Sequence, residues 1–238
     1  MDTTLARDDI ELVDEGRAAP TRRWLGPATA AAMVVLAAGA FAYAPEDASQ
    51  GPPQRIFYVH VPSAWVSFLA FGVVFAASIA VLVTGKRHWD ELAAASAEVG
   101  VVFTTAVLIT GPLWGRPVWG VYWSWDPRLT SFFLLWLIYL SYVALRGYVT
   151  DPGRRARFSA VLGIVGFLDV PLVYLSVRWW RALHPEAVVL TRDGPKMPGE
   201  MLLTLFVGLG AFTLFYFYVL GLRLRLERSR TAAEEVFE

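Results

Sequence analysis

Residues 111–131 read GPLWGRPVWGVYWSWDPRLTS, a stretch that separates two long apolar runs. Upstream, the sequence predicts a helix over 92–110, with Glu98 its only charge; downstream, it predicts another over 127–149. Runs of this length cross a bilayer as helices, because only a helix satisfies its own backbone polar groups in lipid. The stretch between them is therefore read as a connection at a membrane surface. It carries four of the ten tryptophans, Trp114, Trp119, Trp123 and Trp125. Two Trp-Gly pairs, Trp114-Gly115 and Trp119-Gly120, suit a bent backbone and a close approach.

Working outward, four more apolar runs follow the same logic: 28–44, 63–83, 158–177 and 200–222. The chain is thus expected to be all-α and polytopic, with six transmembrane helices spanning 27–222. A polar segment, 1–26, precedes them and a charged tail, 223–238, follows. The composition agrees: 56% of the 238 residues are hydrophobic, above the usual soluble range. Ala42-Tyr43-Ala44 resembles a signal-peptidase site, so a cleaved signal competes with a retained first helix. The apolar core is long for a signal and its leader is long and acidic, which favours retention. With six helices both termini share a side. That side and its loops carry 14 of the 21 Lys and Arg residues, the other loops 7. The positive-inside rule then makes both termini cytoplasmic and puts the tryptophan-rich loop 111–131 outside.

Several function classes fall away. Net charge is zero, so no basic surface for nucleic acid is indicated. There is no cysteine, which removes disulfides and thiolate metal sites. No G-x-x-x-x-G-K-[ST] loop, no H-E-x-x-H run and no Ser/His/Asp grouping is present. The chain is read as a binding protein, not an enzyme.

The tryptophans are distributed unevenly. Trp65, Trp114, Trp119, Trp123, Trp125, Trp179 and Trp180 fall in or beside loops placed outside, and only Trp24 and Trp89 fall on the other face. An interfacial anchor belt would serve both faces; the asymmetry favours a binding surface. Flat rings, exposed backbone and flanking cations suit a flat, apolar, anionic guest such as haem. Haem iron takes axial donors, and imidazole is the natural one where cysteine is absent. His60 and His184 lie on different outer loops, while His88 sits in a cytoplasmic turn. Two unrelated surface histidines remain the plain alternative, with Met197 and Met201 as weaker axial candidates. Of the outer cations, Arg55 and Arg128 are singled out for carboxylates because each lies near His60 or Trp125; lipid headgroups are the alternative partner. Asp126 before Pro127 reads as an N-cap that aims the preceding tryptophans. Glu98 and Asp169 are membrane carboxylates, functional candidates by default. Structural roles are favoured for both, Asp169 by satisfying amides freed near Pro171.

Three stretches together carry a family resemblance: RIFYVHVPSAW (55–65), WGVYWSWDPRLTS (119–131) and DVPLVYLSVRWWRALHP (169–185). The chain resembles the CcmC-type haem-handling proteins of bacterial cytochrome c maturation, within the tryptophan-rich WWD superfamily. The resemblance covers about 54–222. It implies haem b on the tryptophan domain, with His60 and His184 as axial ligands on the periplasmic side of the inner membrane. It further implies delivery to the haem chaperone CcmE, with the ABC-type subunits CcmA and CcmB and the small CcmD as partners. Two other readings stay open: a transporter conducting haem or another solute past Glu98 and Asp169, and an assembly subunit with no ligand.

Overall fold

In the computed structural model, residues 23–180, 184, 189 and 194–236 are described, with side chains to residue 230. Among the described residues, six stretches are long and apolar enough to cross a membrane: Leu25–Tyr43, Pro52–Thr84, Arg87–Trp119, Pro127–Tyr148, Pro152–Trp179 and Gly199–Arg230. Their elements are α1 (Leu25–Ala38, closing in a π turn over Gly39–Tyr43), α2 (Phe57–Thr84, entered through a 3-10 turn over Pro52–Ile56) and α3 (Arg87–Trp119). They continue as α4 (Pro127–Tyr148), α5 (Pro152–Phe167), α6 (Asp169–Trp179) and α7 (Gly199–Val236). The all-α, six-span expectation holds.

Several boundaries move, each for a physical reason. The second span was expected to start at 63, leaving His60 in a loop; instead His60 and Pro62 lie inside α2. Proline in a second turn withdraws one backbone donor, from the carbonyl of Tyr58. Here α7 packs over that point: a Cβ at Gly208 would stand 3.1 Å from Pro62 Cγ and 3.3 Å from the Tyr58 carbonyl. Likewise α3 runs on through Pro112 and Pro117 to Trp119. The expected loop 111–131 therefore shrinks to 120–126. Gly120 stops the helix with φ +81°, a left-handed conformation that glycine adopts without strain.

The fifth span is two helices, broken at Leu168 and not at Pro171. Pro171 sits in the first turn of α6, where a missing N–H costs nothing. Asp169 is buried but caps no amide, and its Oδ2 has no hydrogen-bond partner; the expected amide-satisfying role is not what the structure shows. Finally, the tail expected from 223 extends α7 to Val236. Three of its charges are neutralised sideways. Arg223 pairs with Glu98, Arg228 with Glu91 at 3.6 Å, and Glu227 with Arg146 at 3.3 Å.

The α2–α3 hairpin is the central element, sharing the most extensive interface in the bundle. On one flank α1 and α7 pack against it, burying Tyr58, Val66, Ala70, Leu205 and Tyr216. On the other, α4 and α5 pack against it and α6 packs on α4, burying Phe71, Val74, Leu135, Tyr139 and Val173, with Phe71 stacked on Tyr139 at 3.6 Å. Small residues allow the close crossings typical of membrane helices: a Cβ at Gly100 would stand 2.5 Å from the Phe71 ring. At about 1.5 Å per residue, α3 spans the whole bundle. Its first turns meet the charges of α4 and α7, and its last turns carry the tryptophans.

Candidate functional site

A cavity of about 1030 Å³, counting the part open to the outside, lies at the tryptophan end of α3. Parts of α2, α3, α4 and α6, the 120–126 connection and His184 line it. Its walls are mostly apolar: Val61, Ala64, Phe68, Val107, Leu108, Leu129, Phe132 and Val173. Six of the nine residues singled out from sequence line it: His60, Trp114, Trp119, Trp123, Arg128 and His184.

His60 projects from the second turn of α2 and is only 9% exposed. Its Nδ1 lies 2.9 Å from the Thr110 hydroxyl. Trp114 meets the imidazole edge-on, with ring centroids 5.7 Å apart. A Cβ at Gly111 would lie 3.2 Å from His60 Cε1, so glycine lets the ring approach α3. Trp114 is itself held from two sides, by the Phe57 ring and by Gln50, whose Oε1 accepts from Trp114 Nε1 at 2.9 Å. Gln50 belongs to a turn that Asp47 organises: its carboxylate accepts from the Ser49 hydroxyl at 2.7 Å and the Gln50 amide at 2.8 Å. Those bonds, the Ser49 hydroxyl foremost, hold the Asp47 carboxyl below its ordinary range.

Trp119 folds back over Gly115, where a Cβ would stand 3.1 Å from the indole. Gly115 thus seats a ring within a helix and does not bend the chain; Gly120 alone of the two Trp-Gly glycines makes the turn. Arg116 donates to the Gly120 carbonyl, closing that turn. Trp119 and His184 meet with centroids 6.1 Å apart. Arg128, on the first turn of α4, donates to the Val173 and Tyr174 carbonyls at 3.3 Å each and to His184 Nδ1 at 2.9 Å. Trp123 Nε1 is buried without a hydrogen-bond partner. An orphaned donor and a guanidinium lining one cavity suit a guest with an anionic edge.

Three of the nine residues lie off the lining. Asp126 caps α4, its Oδ1 accepting from the Leu129 amide at 3.0 Å, as read from sequence. Arg55 caps the end of α1, donating to the Ala40 carbonyl at 2.6 Å and lying over the Phe41 ring. Trp125 is 74% exposed, its edge toward Trp123 and Phe133. Met201 is buried in the α1/α7 core and Met197 packs against it, so neither lines the cavity. His88 tilts on Trp89 at the other end of α3. Pro185, Arg181 and Arg192 lie outside the described residues. Sequence reasoning missed Thr110, Gln50 and Gly111. A hydroxyl and a glycine closing an apolar run were visible; the fold that turns them toward His60 was not.

The chain matches the family model described as haem exporter protein C over residues 15–236. It is 44% identical to haem exporter protein C of Bradyrhizobium diazoefficiens over 81% of this chain and 73% of the relative. Haem exporter protein C of Escherichia coli is 32% identical over 87% of this chain and 81% of its own length. A protein of Marchantia polymorpha, described as a putative cytochrome c biosynthesis ccmC-like mitochondrial protein, is 33% identical over 77% and 76%.

Proposed function

Because this chain belongs to the haem exporter protein C family, membrane proteins that handle haem in cytochrome c maturation, we propose that it holds haem b in the tryptophan-lined cavity. In this reading His60 and His184 supply the axial nitrogens. Trp114, Trp119 and Trp123 cover the ring faces and edges with apolar contact area. Arg128 and the unpartnered Trp123 Nε1 receive the carboxylate edge. Asp126 acts one step removed, by capping α4 next to Trp123 and Trp125, and Arg55 by tying the turn before α2 to the end of α1; Trp125 borders the cavity from outside. The carrying observation is the convergence of both histidines, three tryptophans and Arg128 on one cavity.

The cavity end is assigned to the periplasmic face of the inner membrane, with both termini cytoplasmic, on the uneven distribution of Lys and Arg. Reporter fusions after Asp47 should report outside and one after Arg155 inside. Haem held there is presented to the chaperone CcmE, with CcmA, CcmB and CcmD completing the assembly. Coordinate bonds suit a carrier, because they exchange. Glu98, a conduction candidate from sequence, pairs with Arg223, which favours a structural role over a path. The direct test is the purified protein's spectrum: a Soret band with one haem per chain is expected, and a colourless protein that takes up no haem would overturn the reading.

A further inference from the structure

The two histidines are hydrogen-bonded in opposite senses. The Thr110 hydroxyl lies 2.7 Å from the Ala106 carbonyl, its backbone neighbour one turn earlier, and 2.9 Å from His60 Nδ1. A hydroxyl has one proton and two acceptor sites. With the proton on Ala106, the oxygen accepts from His60, whose Nδ1 then carries the hydrogen. A neutral imidazole has one N–H and one lone pair, so the lone pair of His60 is on Nε2, as in a ligand whose second nitrogen is fixed by an outer partner. His184 faces Arg128 instead, through Nδ1 at 2.9 Å. Guanidinium only donates. His184 Nδ1 is therefore the acceptor, and its hydrogen is on Nε2. Its lone pair is held by Arg128, and its other nitrogen has none to give.

We propose that Thr110 and Arg128 set the two histidines in opposite tautomers, making His60 a ready iron ligand and His184 one only after a carboxylate has drawn Arg128 away. The inference rests on the haem-binding reading. A carboxylate accepts from guanidinium more strongly than a neutral imidazole does, and bidentately. The bonds of Arg128 to the Val173 and Tyr174 carbonyls are long at 3.3 Å. Once released, His184 loses the Nε2 proton to water and takes one at Nδ1, with no net change in charge. Sixth-position ligation is thereby coupled to capture of the acidic edge. The site discriminates a tetrapyrrole with free carboxylates from one without, and Arg128 and Thr110 act as positioning residues.

The test has two arms. In the first, full-length ligand-free protein labelled with 15N-histidine is observed by NMR at mildly alkaline pH, where imidazole is neutral, with His88→Gln identifying the third signal. His60 should show the Nδ1–H pattern and His184 the Nε2–H pattern. Thr110→Val should mix the His60 tautomers and Thr110→Ser restore them; Arg128→Met should mix those of His184. The Nδ1–H pattern at His184 in the unaltered protein would overturn the proposal, whatever the variants do. In the second arm, haem is compared with haem dimethyl ester. Haem should give a six-coordinate low-spin spectrum. The ester should give a five-coordinate one, with affinity lower on the order of tenfold. Arg128→Met should make the ester six-coordinate. A six-coordinate ester complex in the unaltered protein contradicts the coupling. Failure of both porphyrins to bind, with the opposed tautomers intact, would instead sink the haem-binding reading.

Discussion

The two ends of α3 treat arginine differently. At the first turns, Arg146 forks onto both oxygens of Asp90, at 2.6 and 3.0 Å, and reaches Glu227 at 3.3 Å. Arg87 and Arg228 both meet Glu91. At the tryptophan end, Arg55 and Arg116 bond backbone carbonyls, and the partners of Arg128 include two carbonyls and an imidazole. Paired charges hold helices together. Cations resting on neutral acceptors keep most of their attraction for an anion, because a charge-assisted bond is about twice as strong as a neutral one. The difference separates a part of the molecule built for rigidity from one built to receive something.

Breaking the paired end should have the largest effect. Arg146→Met leaves Asp90 uncompensated and largely buried, which costs roughly 3–5 kcal/mol. Its unfolding midpoint in detergent should fall steeply, while haem affinity of the folded fraction stays unchanged. Arg128→Met should do the reverse: stability within about 1 kcal/mol of the parent, since the helical carbonyls keep their backbone partners, and haem affinity lower by roughly tenfold. Equal loss of stability in the two variants would erase the contrast.

Within the cavity end, contact should rank the tryptophans. Trp119→Ala and Trp123→Ala should each weaken haem binding by roughly tenfold, and Trp125→Ala less, because its ring is mostly exposed outside the lining. Titration of the Soret band orders them. A smaller step follows at the cap. Asp126→Leu should lose about 1 kcal/mol of stability and Asp126→Asn a few tenths, since Asn also caps a helix. Equal haem loss in both would mean that the carboxylate charge itself matters.

Least in size is the Asp47 turn. Its carboxyl is held below its ordinary range in the folded protein, so its contribution is present above the unfolded value and is lost as pH falls through the lowered one. Acidification through that window should release Gln50 from Trp114 and shift tryptophan emission slightly. Asp47→Asn should abolish the shift.

Membrane spans were legible in the sequence because a run of twenty apolar residues has few other uses. Helix ends were less so. Pro62, Pro112 and Pro117 fall outside the helices expected from sequence, yet each withdraws only one donor and lies within a helix. The charged tail read as separate from the last helix, because its partners Glu91, Glu98 and Arg146 stand far away in sequence. Six of the nine residues named from sequence do line the cavity, and were identifiable by type, as histidine, tryptophan and arginine. Arg55 was not distinguishable from them: nearness to His60 in sequence suggested the cavity, and the fold turned it instead to the open end of α1. Thr110 and Gln50 are ordinary residues whose importance comes only from what they touch.

The central claim is that the tryptophan end binds haem through His60 and His184. Haem-reconstituted protein should be low-spin and six-coordinate. His60→Gly and His184→Gly, each measured without imidazole, should leave five-coordinate or weakly held haem, with partial return of the low-spin spectrum on adding imidazole and no change in His88→Gln. An unaltered low-spin spectrum in both glycine variants would contradict the account.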